Sequence, residues 1–66
     1  MEREKLLPLI GQRDVLLDNN MVKEVIDVGE VYVFYLIDGE LGRKKINEVR
    51  KASYEERIHR TIEIDG

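Results

Sequence analysis

The sequence predicts an all-β fold: five antiparallel strands strongly curled into a small barrel, with a short N-terminal helical segment and a helical turn before the last strand. Three observations carry that expectation. The run Val31 to Ile37, VYVFYLI, is β-branched and aromatic and meets Asp38-Gly39, a dipeptide that supplies the two positive φ angles of a type I′ hairpin turn. Turn signals recur at Asn19-Asn20, Gly29-Glu30 and Asp38-Gly39, about ten residues apart, the spacing of an antiparallel meander. Both faces of the central hairpin are apolar, so the sheet must curl over itself, be covered, or pair with another subunit.

Each element has a local reason. Glu2 to Ile10 has good helix formers and the apolar cluster Leu6, Leu7, Leu9 and Ile10, but Pro8 and Gly11 limit it to one or two turns. Its expected role is a plug over one open end of the core. A membrane-surface helix is the alternative, disfavoured because the segment is short and not strongly basic. Strands are expected at 13 to 17, 21 to 28, 31 to 37, 41 to 46 and 57 to 64, the second and third joined by a type II′ turn at Gly29-Glu30. That turn sets Val25 opposite Phe34 and Ile26 opposite Val33; the Asp38-Gly39 turn sets Leu36 opposite Leu41. One face of the hairpin then carries Val25, Tyr32, Phe34, Leu36 and Leu41, and the other Ile26, Val31, Val33, Tyr35, Ile37 and Ile46. Asn47 to Glu56 loses the alternation, and Ser53-Tyr54-Glu55-Glu56 has the form of a capping box, so one or two helical turns are expected there. The last strand alternates through Ile58, Ile62 and Ile64. The expected core is Val15, Leu17, Val25, Ile26, Val33, Phe34, Leu36, Ile46, Val49, Ile62 and Ile64, and truncating Phe34 to Ala should cost roughly 3 to 5 kcal/mol.

At 66 residues the chain is a single small domain, residues 1 to 66. It has no Cys, hence neither a disulfide framework nor a thiolate metal site. Its apolar runs are far shorter than a membrane span, and Met1-Glu2-Arg3-Glu4-Lys5 is too acidic for a signal-peptide start, so a soluble chain in the cytoplasm is expected. The net charge of −3 conceals an asymmetry: residues 1 to 40 hold nine acids against four bases, residues 41 to 60 seven bases against three acids.

Four meander strands, a helical turn and a closing fifth strand resemble the SH3-like small barrels. The stretch VLLDNNMVKEVIDVGEVYVFYLIDGELGRKKINEVRKA resembles the core of tudor-like, retroviral-integrase C-terminal and Sm-like members, in which a Val-x-Leu strand precedes a twisted hairpin ending in Asp-Gly, a basic strand and a short turn. The resemblance covers about residues 13 to 64. The N-terminal helical stretch looks like the Sm-like variant, but Asn19-Asn20 stands where that family has glycine. An OB-fold is the rival, with little room for its usual helix.

Catalytic chemistry finds little to work with. Only Ser53, Thr61 and His59 offer nucleophile or base, carboxylates show no diagnostic pairing, and a lone His59 makes no metal site, so no enzyme, metal or cofactor is expected. Gly39 and Gly42 lie in a hairpin rather than before a helix and form no phosphate cradle. Two binding signals remain. Arg43, Lys44, Lys45, Arg50 and Lys51 concentrate positive charge suited to phosphates or an acidic partner, the competing explanation being a lysine-protected edge strand. Tyr32, Tyr35 and Tyr54 offer an aromatic surface of the kind the barrel resemblance would permit, against the plainer reading that they pack the core with their hydroxyls at solvent. The expected function is a non-enzymatic binding module, an adaptor or regulator of a nucleic-acid-handling machine. Direct nucleic-acid binding through residues 43 to 51 is the alternative, and a homodimer would bury the second apolar face.

Overall fold

In the computed structural model of the chain, residues 1–65 are described in backbone and residues 1–59 in side chain. Helix α1 (Arg3–Leu6) runs into a 3₁₀ turn at Leu7–Leu9. Then follow β1 (Val15–Leu17), β2 (Asn20–Met21), β3 (Glu24–Val28), β4 (Tyr32–Ile37), β5 (Glu40–Lys45), a second 3₁₀ turn at Ile46–Glu48, β6 (Val49–Lys51) and helix α2 (Tyr54–Asp65). The strands form two antiparallel three-stranded sheets, ordered β2-β1-β6 and β3-β4-β5.

This corrects the expected five-stranded barrel: among the described residues six strands lie in two small sheets that do not close. The expected strand at 21 to 28 is divided, because the chain changes sheets in its middle. Val22 N–H donates to Val15 O at 2.9 Å, extending the β1–β2 hairpin, and the next amide, Lys23 N–H, donates to Leu36 O of β4 at 3.1 Å. The expected strand at 57 to 64 is helical. Ser53 caps it as a complete capping box: Glu56 N–H donates to Ser53 Oγ at 3.2 Å and Ser53 N–H to Glu56 Oε1 at 3.0 Å. Arg57 N–H then closes the first turn on Ser53 O at 3.0 Å. The helix is tied to the body by Arg57, whose Nη1 lies 3.3 Å from Asp14 Oδ2, and by Arg50, which grips both carboxylate oxygens of Glu56 at 2.8 and 2.7 Å.

The core lies between the sheets and under the N-terminal segment: Leu6, Leu9, Val15, Leu17, Val22, Val25, Val28, Val33, Ile46 and Val49 form one buried cluster. Of the expected core, Val15, Leu17, Val25, Val33, Ile46 and Val49 belong to it. Ile26 is 39% exposed, Phe34 and Leu36 are half-buried outside the cluster, and the side chains of Ile62 and Ile64 lie outside the described residues. Half of the expected plug is core, since Leu6 and Leu9 are buried while Leu7 and Ile10 face outward.

A β-bulge explains the exchange of Val25 and Ile26. The pairs are Glu24↔Leu36 and Val25↔Tyr35, then Asp27↔Phe34 and Val28↔Val33, so Ile26 is an extra residue without an opposite number. The extra residue lets Val25 and Val28, three positions apart, both point into the core. The hairpin turn also sits one residue later than expected: Gly29 N–H donates to Tyr32 O at 2.8 Å, leaving Glu30-Val31 as the loop. At the next turn Asp38 (φ 53°) and Gly39 (φ 81°) take the two positive φ values of type I′ geometry, and Leu36 pairs with Leu41 as expected.

Candidate interaction face

Side chains alternate across a pleated strand, so the register assigns each residue of β4 and β5 to a face. Val33, Tyr35 and Ile37 turn inward, Val33 fully buried and Tyr35 and Ile37 packed against the core cluster. Tyr35 crosses to Gly42 of β5, where a Cβ would stand 2.8 Å from its Cε2, so glycine leaves room for the ring. Tyr32, Phe34 and Leu36 turn outward. Their neighbours on β5 are Lys45, Arg43 and Leu41, and on β3 Phe34 and Leu36 face Asp27 and Glu24.

The outer face of β3-β4-β5 is therefore ordered in columns. An acidic column, Glu24 and Asp27, borders an apolar ridge of Tyr32, Phe34 and Leu36, and beyond it lies a column of Leu41, Arg43 and Lys45. Leu41 is 69% exposed, unusually open for a leucine on a strand, and the four charged residues are exposed. The Arg43 guanidinium sits over the Tyr32 ring, 4.6 Å from its centroid. Asp27 Oδ1 accepts the Val28 N–H at 2.8 Å, which fixes the carboxylate beside the ridge.

The five cations singled out in the sequence are divided between two sheets. Arg43 and Lys45 stand on the outer face of β5, and Lys44 on its other side, bonded to Asp18 Oδ2 at 2.8 Å. That hydrogen-bonded carboxylate raises the Lys44 pKa. Arg50 belongs to β6 and is bound to Glu56, which raises its pKa likewise, while Lys51 is exposed on the same strand. Glu56 is held down at about 2, first by the Arg50 guanidinium and then by the Ser53 backbone N–H. The tyrosines are no more united: Tyr32 is on the outer face, Tyr35 on the inner, and Tyr54 is 70% exposed at the start of α2.

Sequence reasoning missed Glu24 and Asp27 as the border of this face. Their signal was present, for polar residues three apart in a strand break a period of two, as a bulge does. Elsewhere, a shallow hollow of about 290 Å³ is lined by Met1, Glu30, Val31, Lys45, Ile46 and Asn47. The Met1 amino group beside it donates to Ile46 O at 2.9 Å and Val49 O at 3.3 Å. Among the described residues no three His, Cys, Asp or Glu side chains are placed to hold a metal, and no helix is long and apolar enough to cross a membrane. No family model, curated protein or solved structure matches the chain.

Proposed function

We propose that this chain is a non-enzymatic protein-interaction module of the cytoplasm, an adaptor or regulator that engages its partner through the outer face of β3-β4-β5. The observation that carries the reading is the ridge of Tyr32, Phe34 and Leu36, continued by a Leu41 that is 69% exposed and flanked by unlike charges. Aromatic residues and Arg at the centre of a patch with a charged border are the composition of a protein-binding surface, and an apolar patch with no such role costs solubility. The partner class is protein, a second copy of the chain included.

The second reading, direct nucleic-acid contact in a nucleic-acid-handling machine, draws support from Arg43, Lys45 and Lys51, which make no ion pair among the described residues. Lys44 and Arg50 are engaged by Asp18 and Glu56. Three phosphate contacts would give a log–log salt slope no steeper than about −2.7 on duplex DNA. Two measurements separate the readings. A photo-cross-linking residue at Leu41, introduced in the native host, should give a protein adduct that the same residue at Ile10 does not. Oligonucleotide titration at low salt should give no binding. Salt-sensitive binding to oligonucleotides, or adducts of equal yield from both positions, would overturn the protein-partner reading.

A further inference from the structure

We infer that the outer face of β3-β4-β5 binds a second copy of this chain, face to face, about a two-fold axis parallel to the strands; this rests on the interaction-face reading above and names its partner. The register supplies the argument. Asp27, Phe34 and Arg43 lie abreast in one row across the three strands, since Asp27 pairs with Phe34 and Phe34 with Arg43. Acid stands on one side of the ridge and base on the other at the same height.

With the strands of the two copies near-aligned, as in aligned sheet packing, two ways of setting such a sheet on itself are open to a two-fold axis lying in the interface. An axis perpendicular to the strands lays β3 on β3, acid against acid, and β5 on β5, base against base. An axis parallel to the strands lays β4 on β4 and carries β3 of each copy over β5 of the other without changing height. Asp27 of each copy then faces Arg43 of the second copy, and the two Phe34 rings meet on the axis between the two ion pairs. The roughly 30° at which stacked sheets cross keeps the contact centred on that row. Glu24 and Asp27 balance Arg43 and Lys45, so this face is neutral although the whole chain carries −3.

The surface also sets the strength. Three strands of about six residues cover roughly 14 Å by 20 Å, well below the footprint of a standard permanent interface. The dimer is accordingly a weak, transient one.

Sedimentation equilibrium of the full chain between about 10 µM and 1 mM tests the proposal. The parent should pass from monomer to dimer across that range, and Asp27→Arg or Arg43→Asp should each weaken association by about tenfold or more, with thermal melts confirming that each variant folds. Because the axis is two-fold, the double variant Asp27→Arg/Arg43→Asp should regain the parent's affinity. An equimolar mixture of the two single variants should form a heterodimer in which both ion pairs are restored, associating about tenfold or more tightly than either variant does alone. A parent monomeric at 1 mM, or a dimer indifferent to these reversals, overturns the second-copy assignment. In that event a Leu41 adduct with a different protein leaves the interaction-face reading standing, and the lack of any Leu41-specific adduct removes that reading too.

Discussion

The bulge at Ile26 makes a quantitative claim about two adjacent aliphatic residues. In an unbroken strand Ile26 would share the inner face with Val28, and Val25 would face outward; with the bulge Val25 is fully buried and Ile26 is 39% exposed. Val25→Ala removes two methyl groups from a closed core. At about 0.8 kcal/mol each, plus the cavity left behind, the loss comes to roughly 2 to 3 kcal/mol. In a domain of this size each kcal/mol moves the melting temperature by about 4 to 8 °C, so a fall of about 10 to 20 °C is expected. Ile26→Thr keeps the β-branched shape and gives up only part of its apolar contact, so it should cost less than about 1 kcal/mol. Thermal unfolding followed by circular dichroism at a few micromolar, where self-association does not contribute, measures both. If Ile26→Thr destabilises more than Val25→Ala, the bulge is misplaced and the inner face of β3 is the one an unbroken strand would have.

Four further outcomes are expected. Ser53→Ala should lower the helical signal at 222 nm and cost about 0.5 to 2 kcal/mol, because it removes the N-cap of α2. Glu56 has its folded pKa lowered from 4.5 to about 2, so its contribution is complete above about pH 4.5 and fades as pH falls toward about 2; Glu56→Gln should flatten an acid titration of helicity there. Gly42→Ala should cost about 1 to 3 kcal/mol in urea denaturation because its Cβ would crowd the Tyr35 ring, and much less when combined with Tyr35→Leu. Asp18 holds φ 51°, so Asp18→Gly should be more stable than Asp18→Ala by about 1 kcal/mol, both having lost the same bond to Lys44.

What could be read from the sequence was whatever a few neighbouring residues decide among themselves. The Asp38-Gly39 turn, the pairing of Leu36 with Leu41 and the capping box at Ser53 and Glu56 all appear as local chemistry dictates. The helix that follows the box was not foreseen because Ile58 and Ile62 are four apart, a spacing that fits a period of two and a period of 3.6 equally well. The cap and the grip of Arg50 on Glu56 favour the helix, and the second of these joins residues of different elements. The division of the strand at Val22-Lys23 likewise depends on partners far along the chain, Val15 and Leu36, to which no local residue points. The candidate face was half legible: alternation grouped Tyr32, Phe34, Leu36 and Leu41 on one face, but it put Val25 with them and Phe34 and Leu36 in the core, because the acidic border and the outward turn of that face required the bulge.

The backbone just before β1 bears on how the larger sheet can grow. Gly11 N–H donates to Val25 O at 2.6 Å and Val25 N–H to Gln12 O at 3.0 Å, so the side of β3 away from β4 is occupied by the chain itself. Gly11 has φ 85°, a left-handed conformation that suits glycine, and it brings this stretch alongside β3. Stacking by strand addition needs two open margins, one to receive and one to offer, and among the described residues this sheet keeps one, at β5. A newcomer adding there would meet a strand bearing Arg43, Lys44 and Lys45 and would find no second margin from which to continue. Growth of the β3-β4-β5 sheet along the hydrogen-bonding direction therefore ends after a single addition.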